Sequence, residues 1–299
     1  MSKESHFCED MFDKTTYRCT DDVKFVVQLP LCDSIDKLGD SRSHALGRFY
    51  SLERRLNKIP ILKDMYFSFM NEYEQMGHMT LCDETSIGGI SYFLPHHGVL
   101  NEQSQTTKLI VVFNGSASTD TGMSLNDIQH TGLVIQDDLL DILRRFGQFN
   151  VVVCADIEKM YRMVWVVSEQ RCLQKILWRR KPDEDVQEYT LNTITYGTRS
   201  AAYLAIRCLK QLGLDNLEAH PEASNVILHE FYVDDMLCRE SSVTEMIDVC
   251  KQVKEILGGA GFNLRKWISN RPEVIAGIQR SSSSEEDVYF WRRGIPIRH

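Results

Sequence analysis

Apolar positions recur at helical spacing early in the chain. Ala45, Leu46, Phe49, Leu52 and Leu56 fall at i, i+3 and i+4, with Arg48, Arg54, Arg55 and Lys58 elsewhere around the circumference. That spacing predicts a helix from Ser41, stopped by Pro60. Leu62, Met65, Tyr66, Phe69, Met70, Tyr73 and Met76 form a second apolar stripe, ended by Gly77. Core packing explains both stripes, and their basic outer faces are expected to be solvated. Ahead of them, residues 1–40 read as a lead-in holding one strand over 23–29, stopped by Pro30.

Further on, the pattern shortens and becomes strand-like. Runs at 106–113, 151–155, 189–196 and 261–267 read as strands, and other apolar runs lie at 163–167 and 172–178. Residues 136–146, 198–212 and 243–257 read as helices, the last ended by Gly258-Gly259. Two apolar runs, Asn225-Val226-Ile227-Leu228 and Met236-Leu237-Cys238, flank Phe231-Tyr232-Val233-Asp234-Asp235. This predicts a β-hairpin with acids at its tip. Residues 179–185 read as a solvated turn, and the serine-rich 281–287 as disordered.

Composition narrows the classes. The 299 residues are 43% hydrophobic and 25% charged, enough for one large domain or two smaller ones. No apolar run reaches membrane-spanning length, and the start has no signal-peptide pattern. Nine cysteines without a C-x-x-C pair favour reduced thiols in an intracellular protein over a disulfide framework or zinc site. His96 and His97 face opposite ways if they lie on a strand, with no third ligand near, so no metal site is expected there. A net charge of −8 is not the profile of an autonomous nucleic-acid binder, whose grip rests on Lys and Arg.

The candidate chemistry lies in the acids. Neighbouring Asp234 and Asp235 point together only where the backbone turns sharply, and such a pair repels itself unless a cation neutralises it. A solvated Asp-Asp turn is the bland alternative. Asp156 ends a buried β-rich run, Val151-Val152-Val153-Cys154-Ala155. Strand, then Gly197 with small neighbours, then helix suits close approach of a ligand to the backbone, or plain packing at a helix start. Lys266, on the strand after Gly261, either faces an anion or is a snorkelling surface cation.

Taken in order, these pieces are specific. They are Thr107 to Ser118, Asp156-Ile-Glu-Lys-Met-Tyr-Arg, Tyr196-Gly-Thr-Arg-Ser-Ala, Tyr232-Val-Asp-Asp and Gly261-Phe-Asn-Leu-Arg-Lys-Trp. Leu46 to Met79, Tyr92-Phe-Leu-Pro-His-His and Leu125-Asn-Asp with Gln136-Asp-Asp-Leu join them. The set resembles the reverse transcriptase segment of Bel–Pao long-terminal-repeat retrotransposon polyproteins, over most of the chain up to Ile275.

The resemblance implies an α+β fold, the fingers and palm of a right-hand polymerase with an antiparallel palm sheet backed by helices. It implies an N-terminal helical extension over 1–80, fingers and palm over 81–270, and a partly disordered tail over 271–299 unlike the family. The implied activity is RNA-directed DNA synthesis, by two-metal phosphoryl transfer from a dNTP to a primer 3′ end. Asp156, Asp234 and Asp235 would be catalytic. With the carbonyl of Ile157 they would hold Mg²⁺ or Mn²⁺, hard ions suited to oxygen ligands. Tyr161 would exclude a ribose 2′-hydroxyl, while Lys108, Gly197 and Lys266 would line the nucleotide site. Implied partners are an RNA template, a DNA primer, dNTPs and, in an intact element, the other polyprotein domains, with no membrane. A cytoplasmic location is expected, or a virus-like particle or nucleus for an intact element.

Departures are equally specific. Ile110 stands where the family carries an arginine that clamps the triphosphate, and an isoleucine cannot donate to phosphate. Asn114 replaces an aspartate and Ala202 a proline. Past Ile275 the match ends, so the thumb is expected to be missing and the chain to be a truncated copy, weak or inactive. An alternative from another class is a catalytically dead retroelement remnant acting as an RNA or protein interaction module. An unrelated two-metal nuclease is a third reading, disfavoured by the ordered motifs.

Overall fold

The predicted helical stripes and strand runs appear as a mixed fold of helices and sheets. A computed structural model describes residues 2–82, 89–100 and 108–279, with the backbone of Val288–Phe290. The first half holds α1 (Lys3–Thr15), β1 (Tyr17–Arg18), β2 (Phe25–Val27), α2 (Arg42–Lys58), α3 (Pro60–Gln75), β3 (Met79–Leu81), β4 (His96–Leu100), β5 (Leu109–Phe113) and α4 (Leu139–Phe146). Then come β6 (Val151–Ile157), β7 (Trp165–Val166), β8 (Lys175–Trp178), β9 (Gln187–Leu191), α5 (Ala201–Asp215), α6 (Pro221–His229), β10 (Phe231–Tyr232) and β11 (Asp235–Glu240). Last are α7 (Val243–Gly258), β12 (Leu264–Ser269), α8 (Pro272–Gln279) and β13 (Val288–Phe290). The start of the strand expected at 106–107 and the stretch 281–287 expected to be disordered lie outside the described residues.

The chain divides into two compact units of interleaved segments. One comprises Met1–Tyr17, Val26–Leu133 and Val164–Leu204, the other Arg18–Phe25, Val134–Met163 and Ala205–His299.

In the first unit, α2 buries Ala45, Phe49, Leu52 and Leu56, and α3 buries Leu62, Tyr66, Met70 and Tyr73, as the spacing requires. Pro60 sits in the first turn of α3, where its missing N–H costs nothing, so it starts one helix as well as stopping the other. Both helices pack on the antiparallel β4–β5 hairpin. His96 is buried at that junction. Its Nδ1 lies 2.5 Å from the Tyr66 hydroxyl, and its Nε2 lies 3.0 Å from the Leu177 carbonyl. Burial depresses its pKa to about 4, so the ring stays neutral and structural. A second sheet runs β3-β9-β8. The turn at 179–185 is exposed from Arg180 onward, as expected, and is anchored at its start: Arg179 grips Glu53 through two bonds of 2.8 and 2.7 Å, and Arg180 meets Glu74 at 2.5 Å.

In the second unit, one sheet is ordered β10-β11-β6-β12-β13, antiparallel except for the parallel β12–β13 pair. Alternation gives its two faces different jobs. Val152, Cys154 and Leu237 lie on one face and pack against Ile142, Leu143 and Phe146 of α4. Cys238 lies buried on the other, the face covered by α7, a helix that packs along β6, β11 and β12.

Several elements differ from the sequence expectation. Asn225-Val226-Ile227-Leu228 is not a strand leading into the hairpin but the last part of α6, which buries Ala223, Val226 and Ile227. A four-residue apolar run fits either period, and Pro221 at the first turn decides it for helix. The strand over 189–196 is β9, ending at Leu191, and the helix over 198–212 is α5, starting at Ala201. Within the tail over 271–299, whose expected disordered stretch lies outside the described residues, α8 buries Val274, Ile275 and Ile278, and β13 pairs with β12. In the lead-in, α1 begins at a Ser2 cap and buries only Cys8 and Phe12. All nine cysteines are free, and no described helix is long and apolar enough to cross a membrane.

Candidate active site

Register brings the acids together. On β6 and β11, Asp156 stands directly opposite Asp235. Directly opposed residues share a face with Cβ atoms about 4.5–5.5 Å apart, so both carboxylates rise from the face that α4 covers further along. Asp234 shares with Val233 the two-residue turn between the paired Tyr232 and Asp235. The Asp234 carbonyl accepts the N–H of Ile157 at 2.9 Å, tying the turn to the end of β6.

The turn is strained. Val233 has φ of 55°, a left-handed conformation that a β-branched residue rarely adopts. The Gln136 amide holds it: the Val233 N–H donates to Gln136 Oε1 at 2.7 Å, and Gln136 Nε2 donates to the Val233 carbonyl at 3.3 Å. The sequence placed Gln136 at a helix start and gave no sign of this clamp, because the partner lies 97 positions away.

Charge is concentrated on this face. Burial pushes the Asp234 carboxyl up from its ordinary value and the charge of Asp156 adds to this, while its own backbone N–H and Lys266 pull the other way. Lys266 donates to Asp156 Oδ2 at 2.6 Å. Burial lowers its pKa, but the hydrogen bond to Asp156 and the charges of Asp156, Asp234 and Asp235 outweigh that and hold it above the usual lysine range. The register of β12 slips after Arg265, and Lys266 takes φ of 53° in that irregularity. A bulge re-aims side chains. Arg265 reaches Glu158 at 2.7 Å, and Lys266 reaches Asp156. The anion that Lys266 meets is a carboxylate of the protein itself, that of Asp156.

Tyr161 is 8% exposed in a short 3-10 turn after β6. Its hydroxyl pKa is raised, first by burial and then by the charge of Asp234. Ile157 closes β6 in register with Leu264.

Lys108 and Gly197 belong to the first unit. Lys108 is exposed just before β5, and Ile110 on that strand is 42% exposed. Gly197 has φ of 97°, and a Cβ there would lie 1.9 Å from the Phe113 carbonyl. Close backbone packing therefore suffices to require this glycine. Asn126 ties the same loop together, donating to the Gly197 carbonyl and accepting from the Arg199 N–H. Asn114 accepts from the Ser116 N–H, and Ala202 is exposed.

Among the described residues, no three His, Cys, Asp or Glu side chains already converge on a metal-sized point. The donor chemistry still suits a hard cation. Asp156 Oδ1 is buried without a hydrogen-bond partner, and Asp234 and Asp235 supply further carboxylate oxygens.

No protein-family model and no curated protein sequence matches the chain. Solved structures do resemble it. A foamy virus protease–reverse transcriptase, described as the prototype foamy virus CSH mutant, is 15% identical with a TM-score of 0.51, over 69% of this chain and 23% of that one. A foamy viral protease–reverse transcriptase in complex with double-stranded DNA is also 15% identical, with a TM-score of 0.47, over 64% of this chain and 28% of that one. The chain thus spans about a quarter of those proteins and has a reverse transcriptase-like fold.

Proposed function

We propose that the chain is the fingers and palm of an RNA-directed DNA polymerase from a Bel–Pao-like retrotransposon. It would extend a DNA primer on an RNA template by transferring a nucleotidyl group from a dNTP to the 3′ hydroxyl. One observation carries this reading: Asp156 and Asp235 face each other across adjacent antiparallel strands, with Asp234 in the tight turn beside them. Two opposed carboxylates on one sheet face, with Asp234 beside them raised by burial and by the charge of Asp156, are an arrangement that a divalent cation stabilises. Mg²⁺ or Mn²⁺ held by Asp156, Asp234, Asp235 and the Ile157 carbonyl would activate the primer hydroxyl and neutralise charge on the leaving pyrophosphate.

The chain's own residues do the positioning. Gln136 fixes the turn that carries Asp234. Tyr161, packed after β6 within the field of Asp234, would crowd a ribose 2′-hydroxyl. Ile110 offers no donor where the family has an arginine, so extension should be slow.

The test is divalent-dependent primer extension on an RNA template with the full chain. Extension by the unmutated chain, lost at least a hundredfold in Asp234→Asn, is expected on the scale of removing one electrostatic stabiliser. Extension that survives in Asp234→Asn would sink the assignment.

A further inference from the structure

Asp156 and Asp235 oppose each other on one face of the second unit's sheet, with Asp234 in the adjoining turn, and the cation bonded to Asp156 belongs to the protein. Lys266 Nζ lies 2.6 Å from Asp156 Oδ2. The contact is built in. It depends on the register slip of β12 between Arg265 and Ile268 and on a left-handed backbone at Lys266 itself. Regular pairing would place Lys266 on the face opposite Arg265, whose partner across the strands is Asp156.

We propose that Lys266 is a resident counter-ion that holds the place of a divalent cation on Asp156 and must withdraw before one binds. This rests on the polymerase reading of the same acids. With the ammonium seated, the acids do not converge on one point, in line with a site held shut. Asp156 Oδ1 is buried and unbonded, so the carboxylate has one oxygen satisfied by lysine and one still waiting. A divalent ion supplies more charge and more coordination than one ammonium. Withdrawal is feasible because the Lys266 side chain is 37% exposed and sits on a flexible four-carbon stem. A released ammonium would then be free for an anion, the role the family resemblance implies for it.

The experiment reads metal binding and not synthesis. Mn²⁺ is titrated into the full chain without nucleotide, and free Mn²⁺ is followed by electron paramagnetic resonance. Lys266→Met should bind Mn²⁺ about tenfold tighter than the unmutated chain, the scale of one charge-assisted hydrogen bond. Lys266→Arg should not gain affinity, and Asp156→Asn should lose binding in either background. Should Lys266→Met fail to fold, the unmutated chain still decides. Mg²⁺ should raise the reactivity of Lys266 toward acetic anhydride, read by peptide mass spectrometry, while other lysines stay constant. Equal Mn²⁺ affinity in Lys266→Met, or Lys266 reactivity indifferent to Mg²⁺, overturns the counter-ion proposal and leaves the polymerase reading standing. Absence of any Asp156-dependent Mn²⁺ binding in both chains overturns the two together.

Discussion

At the scale of single residues, the acids were legible and their supports were not. Asp156, Asp234 and Asp235 could be singled out because strand patterning and a tight turn are local signals, and β6 and β11 oppose Asp156 to Asp235 with Asp234 in the adjoining turn. Gln136 was invisible as a clamp, and Lys266 as a partner of Asp156, because each acts across about a hundred residues of chain. Gln136→Ala should lower stability by about 1–2 kcal/mol, since both backbone polar groups of the partly buried Val233 lose their partner. Urea unfolding would measure that, and primer extension should fall with it. A second expectation concerns Tyr161. Replacing it by valine should raise rNTP incorporation relative to dNTP, read in parallel extension assays. Unchanged discrimination would remove Tyr161 from the sugar pocket.

At the scale of elements, length and amphipathic contrast decided what could be read. The seventeen-residue α2 and sixteen-residue α3 carry four buried positions each, and both were evident from spacing alone. By contrast, α1 buries two side chains, and the apolar run in α6 is too short to show a period. In α8, a short apolar helix follows directly on a strand, so its pattern merged with the tail. The packing of α3 on the β4–β5 hairpin carries its own pH dependence. His96 is depressed from 6.5 to about 4 by burial, so the unfolded chain binds the extra proton first as pH falls. Stability contributed by the neutral ring is complete above pH 6.5 and is lost progressively toward pH 4. The gap corresponds to about 3 kcal/mol as an order of magnitude. Urea midpoints measured from pH 7 to 4 should drop steeply, and His96→Gln should flatten that slope from a lower starting stability.

At the scale of the whole molecule, the charge balance limits how a nucleic acid would be held under the proposed function. With 34 Lys and Arg against 42 Asp and Glu, a net charge of −8, the protein as a whole repels a phosphate backbone, and any duplex grip would rest on local groups of cations. Binding of an RNA–DNA hybrid, followed by fluorescence anisotropy, should be weak, with a shallower salt slope than that of a protein making about 6–10 phosphate contacts. A steep slope with tight binding would mean that a concentrated basic surface had been overlooked. The same molecule-wide view bears on how such a protein would change under selection. Lys159, Val233 and Lys266 all hold left-handed backbones, and all lie beside the acids: three positions after Asp156, one before Asp234, and in contact with Asp156. Each such conformation costs on the order of 1–2 kcal/mol in a non-glycine residue. A screen rewarding heat resistance alone would therefore find glycine or asparagine at these three positions among its first winners. The survivors would be sturdier proteins that keep the backbone of the turn but lose the ammonium seated on Asp156, so melting temperature would rise in that lineage while the charge around the acids fell out of balance.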